Sequence, residues 1–121
     1  MSTFTVTIEI SPLRDEHWES VEVLVDTGAT YTKVPRALLT RLGINPLTTR
    51  RAQVATGQIV QRELGAAKFR LHGEELPSVV TFGEEGEESL LGSVTLETFS
   101  LAVDPVNRRL IPVNSLELTG R

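Results

Sequence analysis

The chain has 121 residues, 40% of them apolar, with 12 Lys and Arg against 16 Asp and Glu, a net charge of −4 and no cysteine. That length and apolar content fit one globular domain over residues 1–121 and leave little room for a second, while the missing cysteines exclude disulfides and thiolate chemistry. The basic residues are scattered rather than gathered on one face, which speaks against nucleic-acid binding.

Thr3 to Ile10 alternates strictly, with Phe4, Val6, Ile8 and Ile10 on one face, and predicts a strand buried on one side. The same alternation departs from a signal peptide, which would carry a basic start and a continuous apolar stretch. No apolar run approaches the roughly eighteen residues of a membrane span, so a soluble, cytoplasmic protein without a membrane partner is expected. Ser11 to His17, containing Pro12, is a turn. Trp18 to Val25 returns as a second strand and becomes more continuously apolar towards Asp26, with Trp18 packing at its start.

The period then changes. Val34 to Ile44 carries Leu38, Leu39 and Leu42 at helical spacing, with Pro35 suited to a first helical position and Gly43 to the residue after the end. This predicts one short helix. Arg50 to Val54 and Gln58 to Glu63 flank Ala55-Thr56-Gly57, a small polar turn, and read as a hairpin whose tip has no large apolar anchor. Such a hairpin is suited to act as a lid over a cleft. Ala66 to Leu71 and Ser78 to Phe82 are further strands, and Gly83 to Glu88 is an acidic loop. That loop lacks the Asp/Asn alternation of a calcium site and reads as a solvated charge run. Leu90-Leu91-Gly92 follows, then a helical turn over Val94 to Phe99, a strand over Ser100 to Val103, a turn at Asp104 to Asn107, and an extended segment from Leu110 to Leu118. His17 and His72 fall in separate turns without ligand spacing and read as surface residues.

Asp26-Thr27-Gly28-Ala29-Thr30, placed directly after Val21 to Val25, carries the chemistry. A carboxylate at the end of a buried strand, in a loop that Thr27 can fix by hydrogen bonding and Gly28 can keep close to neighbouring backbone, reads as half of an aspartic-protease site. The triplet alone is more often a turn or helix cap, so its surroundings decide. Leu90-Leu91-Gly92 alone is a core strand, and Ala55-Thr56-Gly57 alone is an ordinary turn.

Taken together, Val23 to Thr30, the helix ending at Leu42-Gly43-Ile44, the Ala55-Thr56-Gly57 hairpin and Leu90-Leu91-Gly92 resemble, in order and spacing, the single-domain retropepsin-like aspartic proteases and their bacterial members. The resemblance implies an all-β, closed-barrel-like fold with one short helix, working as a homodimer. It further implies that Asp26 is the catalytic carboxylate, that Thr27 reaches across the dimer axis to its counterpart, with Gly28 and Ala29 completing the loop, that Ala55, Thr56 and Gly57 form a flap, and that Leu90, Leu91 and Gly92 thread behind the catalytic loop. Two features depart from the pattern. Thr30 and Ser93 stand where retroviral members pair an acidic residue with an Arg, and Val94-Thr95-Leu96 stands where many bacterial members carry Asp-Phe-Leu.

Of Asp15, Asp26 and Asp104, only Asp26 lies in an Asp-Thr-Gly loop, so one chain cannot supply the pair of carboxylates that share a proton in aspartic proteolysis. A homodimer cleaving a polypeptide substrate, best below neutrality and without metal or organic cofactor, is the resulting expectation. A dimeric peptide-binding module of the same fold that cleaves little is the alternative. Val23 to Val34 also resembles the first phosphate-binding hairpin of actin-like ATPases and sugar kinases, but those need two large lobes and continue into a strand where this sequence offers Pro35 and a helix.

Overall fold

Alternation in the sequence becomes sheet. In the computed structural model, which describes residues 3–117, β1 (Thr5–Ser11) buries Ile8 and Ile10 and leaves Thr5 and Thr7 in solvent. It pairs antiparallel with β2 (Glu19–Val25), Thr5 opposite Leu24 and Ile10 opposite Glu19. β2 in turn buries Val23 and Val25. Trp18 sits half-buried just before β2; its ring lies 4.0 Å beneath the Arg70 guanidinium and its indole N–H donates to Glu16 at 2.8 Å.

The expected helix begins later than its pattern indicated. Thr32–Pro35 is a strand, β3, whose Thr32 and Val34 are fully buried; it runs parallel to β6 (Glu74–Gly83), with Val34 opposite Phe82. Pairing with the sheet overrides the helical reading there, and Pro35 (φ −59°, ψ 136°) precedes the helix α1 (Arg36–Arg41) instead of opening it. α1 ends as its sequence requires. Gly43 (φ +77°) adopts the left-handed conformation, the Gly43 N–H reaches Thr40 O at 3.0 Å, and the Ile44 N–H reaches Leu39 O at 2.9 Å, which satisfies two terminal carbonyls.

β4 (Thr48–Gln53) and β5 (Ile59–Leu71) form the hairpin around Ala55-Thr56-Gly57. β5 is one strand of 13 residues where the sequence pattern gave two, Gln58 to Glu63 and Ala66 to Leu71. The apparent break is Gly65, which interrupts side-chain patterning without interrupting the ladder: a Cβ there would come within 3.1 Å of Asn45 O and 3.2 Å of the Phe82 ring. The glycine permits close packing.

β7 (Leu90–Leu91) lies between β2 and β3, so that the large sheet runs β1-β2-β7-β3-β6-β5-β4. β5 also pairs with β1 from Glu9 opposite Arg70 to Ser11 opposite Lys68, and the ladders thereby return to β1. A second helix, α2 (Ser93–Thr98), follows β7. The expectation of a single short helix is therefore corrected to two; the helical turn read over Val94 to Phe99 is hydrogen-bonded helix, with Thr95 and Leu96 buried. β8 (Leu101–Asp104) and β9 (Arg109–Pro112) make a separate hairpin, turned by Asp104 accepting the Val106 and Asn107 N–H groups at 3.2 Å. The extended segment expected to Leu118 is strand only through Pro112, and Leu118 lies outside the described residues.

Phe69 and Phe82 are among the largest fully buried side chains, packed with Ile8, Ile10, Val23, Val34, Leu39, Val80 and Leu91 in one cluster. Burying each phenylalanine contributes about 2–3 kcal/mol, and the cluster holds the strand ends that carry the loops. No helix among the described residues is long and apolar enough to cross a membrane.

Candidate active site

Asp26 emerges where β2 runs out between two other chain segments. Its N–H donates to Leu91 O at 3.0 Å, directly after the parallel pairing of Val25 with Leu91. The loop then folds back on the aspartate: the Gly28 N–H donates to Asp26 Oδ1 at 2.9 Å and the Ala29 N–H to Asp26 O at 3.1 Å. One carboxylate oxygen is thus held by the loop backbone. The other, Oδ2, has no hydrogen-bond partner among the described residues. The side chain is half-buried.

Leu90, Leu91 and Gly92 lie behind this loop, paired with β2 on one side and with β3 at Lys33 on the other. Gly92 is required by proximity. A Cβ on it would stand 2.5 Å from both the carbonyl carbon and oxygen of Tyr31, and 3.0 Å from Ala29 O. At the same crossing the Ser93 N–H donates to Ala29 O at 2.8 Å and the Val94 N–H to Thr30 O at 2.9 Å. Thr30 and Ser93 are therefore joined to each other's segments through backbone bonds, where the retroviral pattern has charged side chains.

A further support lay beyond sequence reasoning. The Gly92 N–H donates to Thr32 Oγ1 at 3.0 Å, Thr32 Oγ1 shares a hydrogen bond with Thr95 Oγ1 at 2.6 Å, and Thr95 Oγ1 another with Ser78 Oγ at 2.9 Å. All three hydroxyl residues are buried, and they tie β3, β6 and α2 beneath the loop. Thr32 and Thr95 are 63 residues apart, and no local pattern marks either. Thr27, by contrast, was expected to fix the loop by hydrogen bonding. It is exposed and its hydroxyl has no partner among the described residues; backbone N–H groups and the buried hydroxyls hold the loop.

The hairpin tip is closed by Val54 and Gln58, the Val54 N–H donating to Gln58 O at 2.9 Å and the Gly57 N–H to Val54 O at 2.8 Å. Gly57 takes φ +89°, a conformation that favours glycine. Ala55 and Thr56, both exposed, border a cleft of about 660 Å³ that Gly28 and Ala29 border from the opposite side. The structure thus places the β4–β5 hairpin tip and residues of the Asp26 loop around one space, although the Asp26 side chain is not part of the cleft's lining. Deeper in the cleft, Arg62 donates to both oxygens of Glu87 at 2.9 and 2.5 Å. That pairing, with the Glu84 N–H and Lys33, holds the Glu87 carboxyl below the usual carboxylate range against the opposing effect of burial. The acidic loop is accordingly tied down rather than merely solvated, since Glu84 also engages Arg36 at 2.9 Å.

The model of the family described as aspartyl protease matches residues 12–95. Among solved structures, the fold is similar to the retroviral protease-like domain of Ddi1 from Leishmania major, with 18% identity, 94% of this chain and 90% of that chain covered, and a TM-score of 0.61. It is likewise similar to a retropepsin-like aspartic protease from Rickettsia conorii, with 24% identity over 85% of this chain and 88% of that one, at a TM-score of 0.55. For EIAV protease in complex with the inhibitor HBY-793, the identity is 21%, the coverage 78% and 85%, and the TM-score 0.53. Comparison with curated proteins gives no significant match. With the family match extending over more than half of the sequence and a retropepsin-like fold presenting Asp26-Thr27-Gly28 at the end of β2, the chain belongs to the aspartyl protease family.

Proposed function

We propose that the protein is a homodimeric aspartic endopeptidase whose catalytic pair is Asp26 and the Asp26 of a second copy. The observation that carries this reading is the state of the Asp26 carboxylate: one oxygen is fixed by the Gly28 N–H, and the other has no partner among the described residues, at a loop that occurs once in the chain. Two-fold symmetry about that loop brings two such carboxylates together. Sharing one proton, the ionised member takes a proton from water as the water attacks the peptide carbonyl, and the neutral member donates to the carbonyl oxygen. Thr27, exposed and without a hydrogen-bond partner among the described residues, would engage the second copy. An extended peptide would lie in the cleft under the β4–β5 hairpin and pair with main-chain groups there.

The test is cleavage of a diverse peptide library by the wild type and by Asp26→Asn across several pH values, followed by mixing. Asp26→Asn is expected to abolish cleavage, and wild-type cleavage to be greatest below neutrality. Adding the inactive variant at ninefold excess should reduce activity per wild-type protomer to about a tenth, because random pairing leaves few intact dyads. Cleavage that survives Asp26→Asn refutes the mechanism, and activity unaffected by mixing refutes the shared site. Peptide binding without cleavage by the wild type would favour a dimeric peptide-binding module of the same fold.

A further inference from the structure

The cleft and the chain differ in sign. Although the protein carries a net charge of −4, the cleft is lined by four cations, Lys33, Arg50, Arg51 and Arg62, against two carboxylates, Glu87 and Glu88. One pair cancels internally. Arg62, its side chain 10% exposed, occupies both oxygens of Glu87, and Glu87 Oε1 also accepts the Glu84 N–H at 2.7 Å. Little acceptor capacity is left for Lys33, whose ammonium stands 3.8 Å from Glu87, beyond hydrogen-bond distance.

Lys33 is nevertheless held in place. It lies in β3 opposite Leu90 of β7 and Thr81 of β6, and Leu90 is itself paired with Leu24, two residues before Asp26. Its side chain is 17% exposed, and its stem rests on Gly83, where a Cβ would come within 3.1 Å of Lys33 Cγ. From the hairpin side, Arg50, which shares a sheet face with Arg62 through their cross-strand pairing, finds only the Thr49 carbonyl among the described residues, at 3.4 Å. A part-buried ammonium whose carboxylate contact among the described residues, Glu87, is already held by Arg62, with Arg50 lining the same cleft, is complementary to a further carboxylate.

We propose that Lys33, with Arg50 of β4, forms a subsite selecting peptides that carry a Glu or Asp side chain at one position of the bound strand. This assigns a substrate class to the endopeptidase reading above and rests on it.

The experiment uses pairs of peptides identical except for Glu or Gln at each successive position around the cleaved bond. Wild type is expected to favour Glu at one position by roughly tenfold in kcat/KM at low salt, falling to about two- to threefold in 0.5 M NaCl as the charges are screened. That salt dependence reads the subsite without any substitution. Lys33→Gln should bring the ratio at that position close to one, Lys33→Glu should reverse it in favour of Lys over Gln, and Arg50→Gln should lower it by about two- to threefold. The same pairs, made with a reduced, uncleavable bond, are titrated calorimetrically into the Asp26→Asn protein. A Glu preference in binding without any cleavage by wild type would locate the failure in the protease reading alone. Cleavage that proceeds equally on Glu and Gln peptides, absence of peptide binding, or a Glu preference that survives Lys33→Gln overturns the subsite.

Discussion

Gly92→Ala isolates how tightly the Asp26 loop is built. Gly92 has φ −95° and ψ 173°, a conformation open to any residue, so the substitution carries no backbone penalty and its whole effect comes from one methyl group. That methyl would lie 2.5 Å from two backbone atoms of Tyr31, against an ordinary contact of 3.4 Å or more, which requires the two segments to part by roughly 0.9 Å. Parting them lengthens the bonds from the Ser93 and Val94 N–H groups at 2.8 and 2.9 Å and from the Gly92 N–H to Thr32 at 3.0 Å. Overpacking costs about 1–3 kcal/mol and each weakened bond up to about 1 kcal/mol, so a loss of about 3–5 kcal/mol is expected. For a domain of this size that lowers Tm by roughly 10–20 °C. Thermal and urea unfolding at fixed protein concentration measure it, which keeps any self-association constant between variants. Gly73→Ala is the control, since Gly73 has φ +81° and open space around it; there only the conformational cost of about 1 kcal/mol applies. If Gly92→Ala were no more destabilising than Gly73→Ala, the close-approach argument would be wrong.

Thr95→Val removes the central hydroxyl of the Thr32–Thr95–Ser78 chain and should cost about 1–3 kcal/mol in urea unfolding, while Thr98→Val, at an exposed position of α2, stays within about 0.5 kcal/mol. Glu87→Gln tests the Arg62 pairing through pH. Arg62 holds the native Glu87 carboxyl below its ordinary value of 4.5, so the unfolded state binds the proton more readily; the pairing stabilises fully above pH 4.5 and is lost as pH falls through the lowered native value. The variant should therefore be about 2 kcal/mol less stable than wild type at pH 7, with the gap closing in acid; a gap that does not change with pH refutes the pairing. Gly57→Val at the hairpin tip, where φ is +89°, should lower kcat/KM at least about tenfold while shifting Tm by only a few degrees, since the tip is exposed and packs on little.

Much of the sheet was legible because its signal is local. Alternation in Thr3 to Ile10, the apolar run into Asp26, and the Ala55-Thr56-Gly57 turn each follow from neighbouring residues, and the corresponding strands and hairpin are present. The Leu42-Gly43-Ile44 helix end was equally readable, because a left-handed glycine closes the last turn by itself. The misreadings share a cause. Val34 and Pro35 looked like a helix entrance until β6 paired with them, Gly65 looked like a break until Phe82 and Asn45 explained the missing side chain, and Val94 to Phe99 looked like a single turn until its burial made a second helix of it.

From the sequence alone came the one Asp-Thr-Gly loop and the elements around it, and hence the inference that a single chain holds half of a catalytic pair. Only the tertiary structure decided how that half is held and what surrounds it. The Thr32–Thr95–Ser78 hydroxyl chain, the contact of Gly92 with Tyr31, and the cations lining the cleft all join residues far apart in sequence. Such contacts leave no periodicity to read. A buried threonine and an exposed one carry the same letter, and the difference exists only once β3, β6 and α2 have packed together.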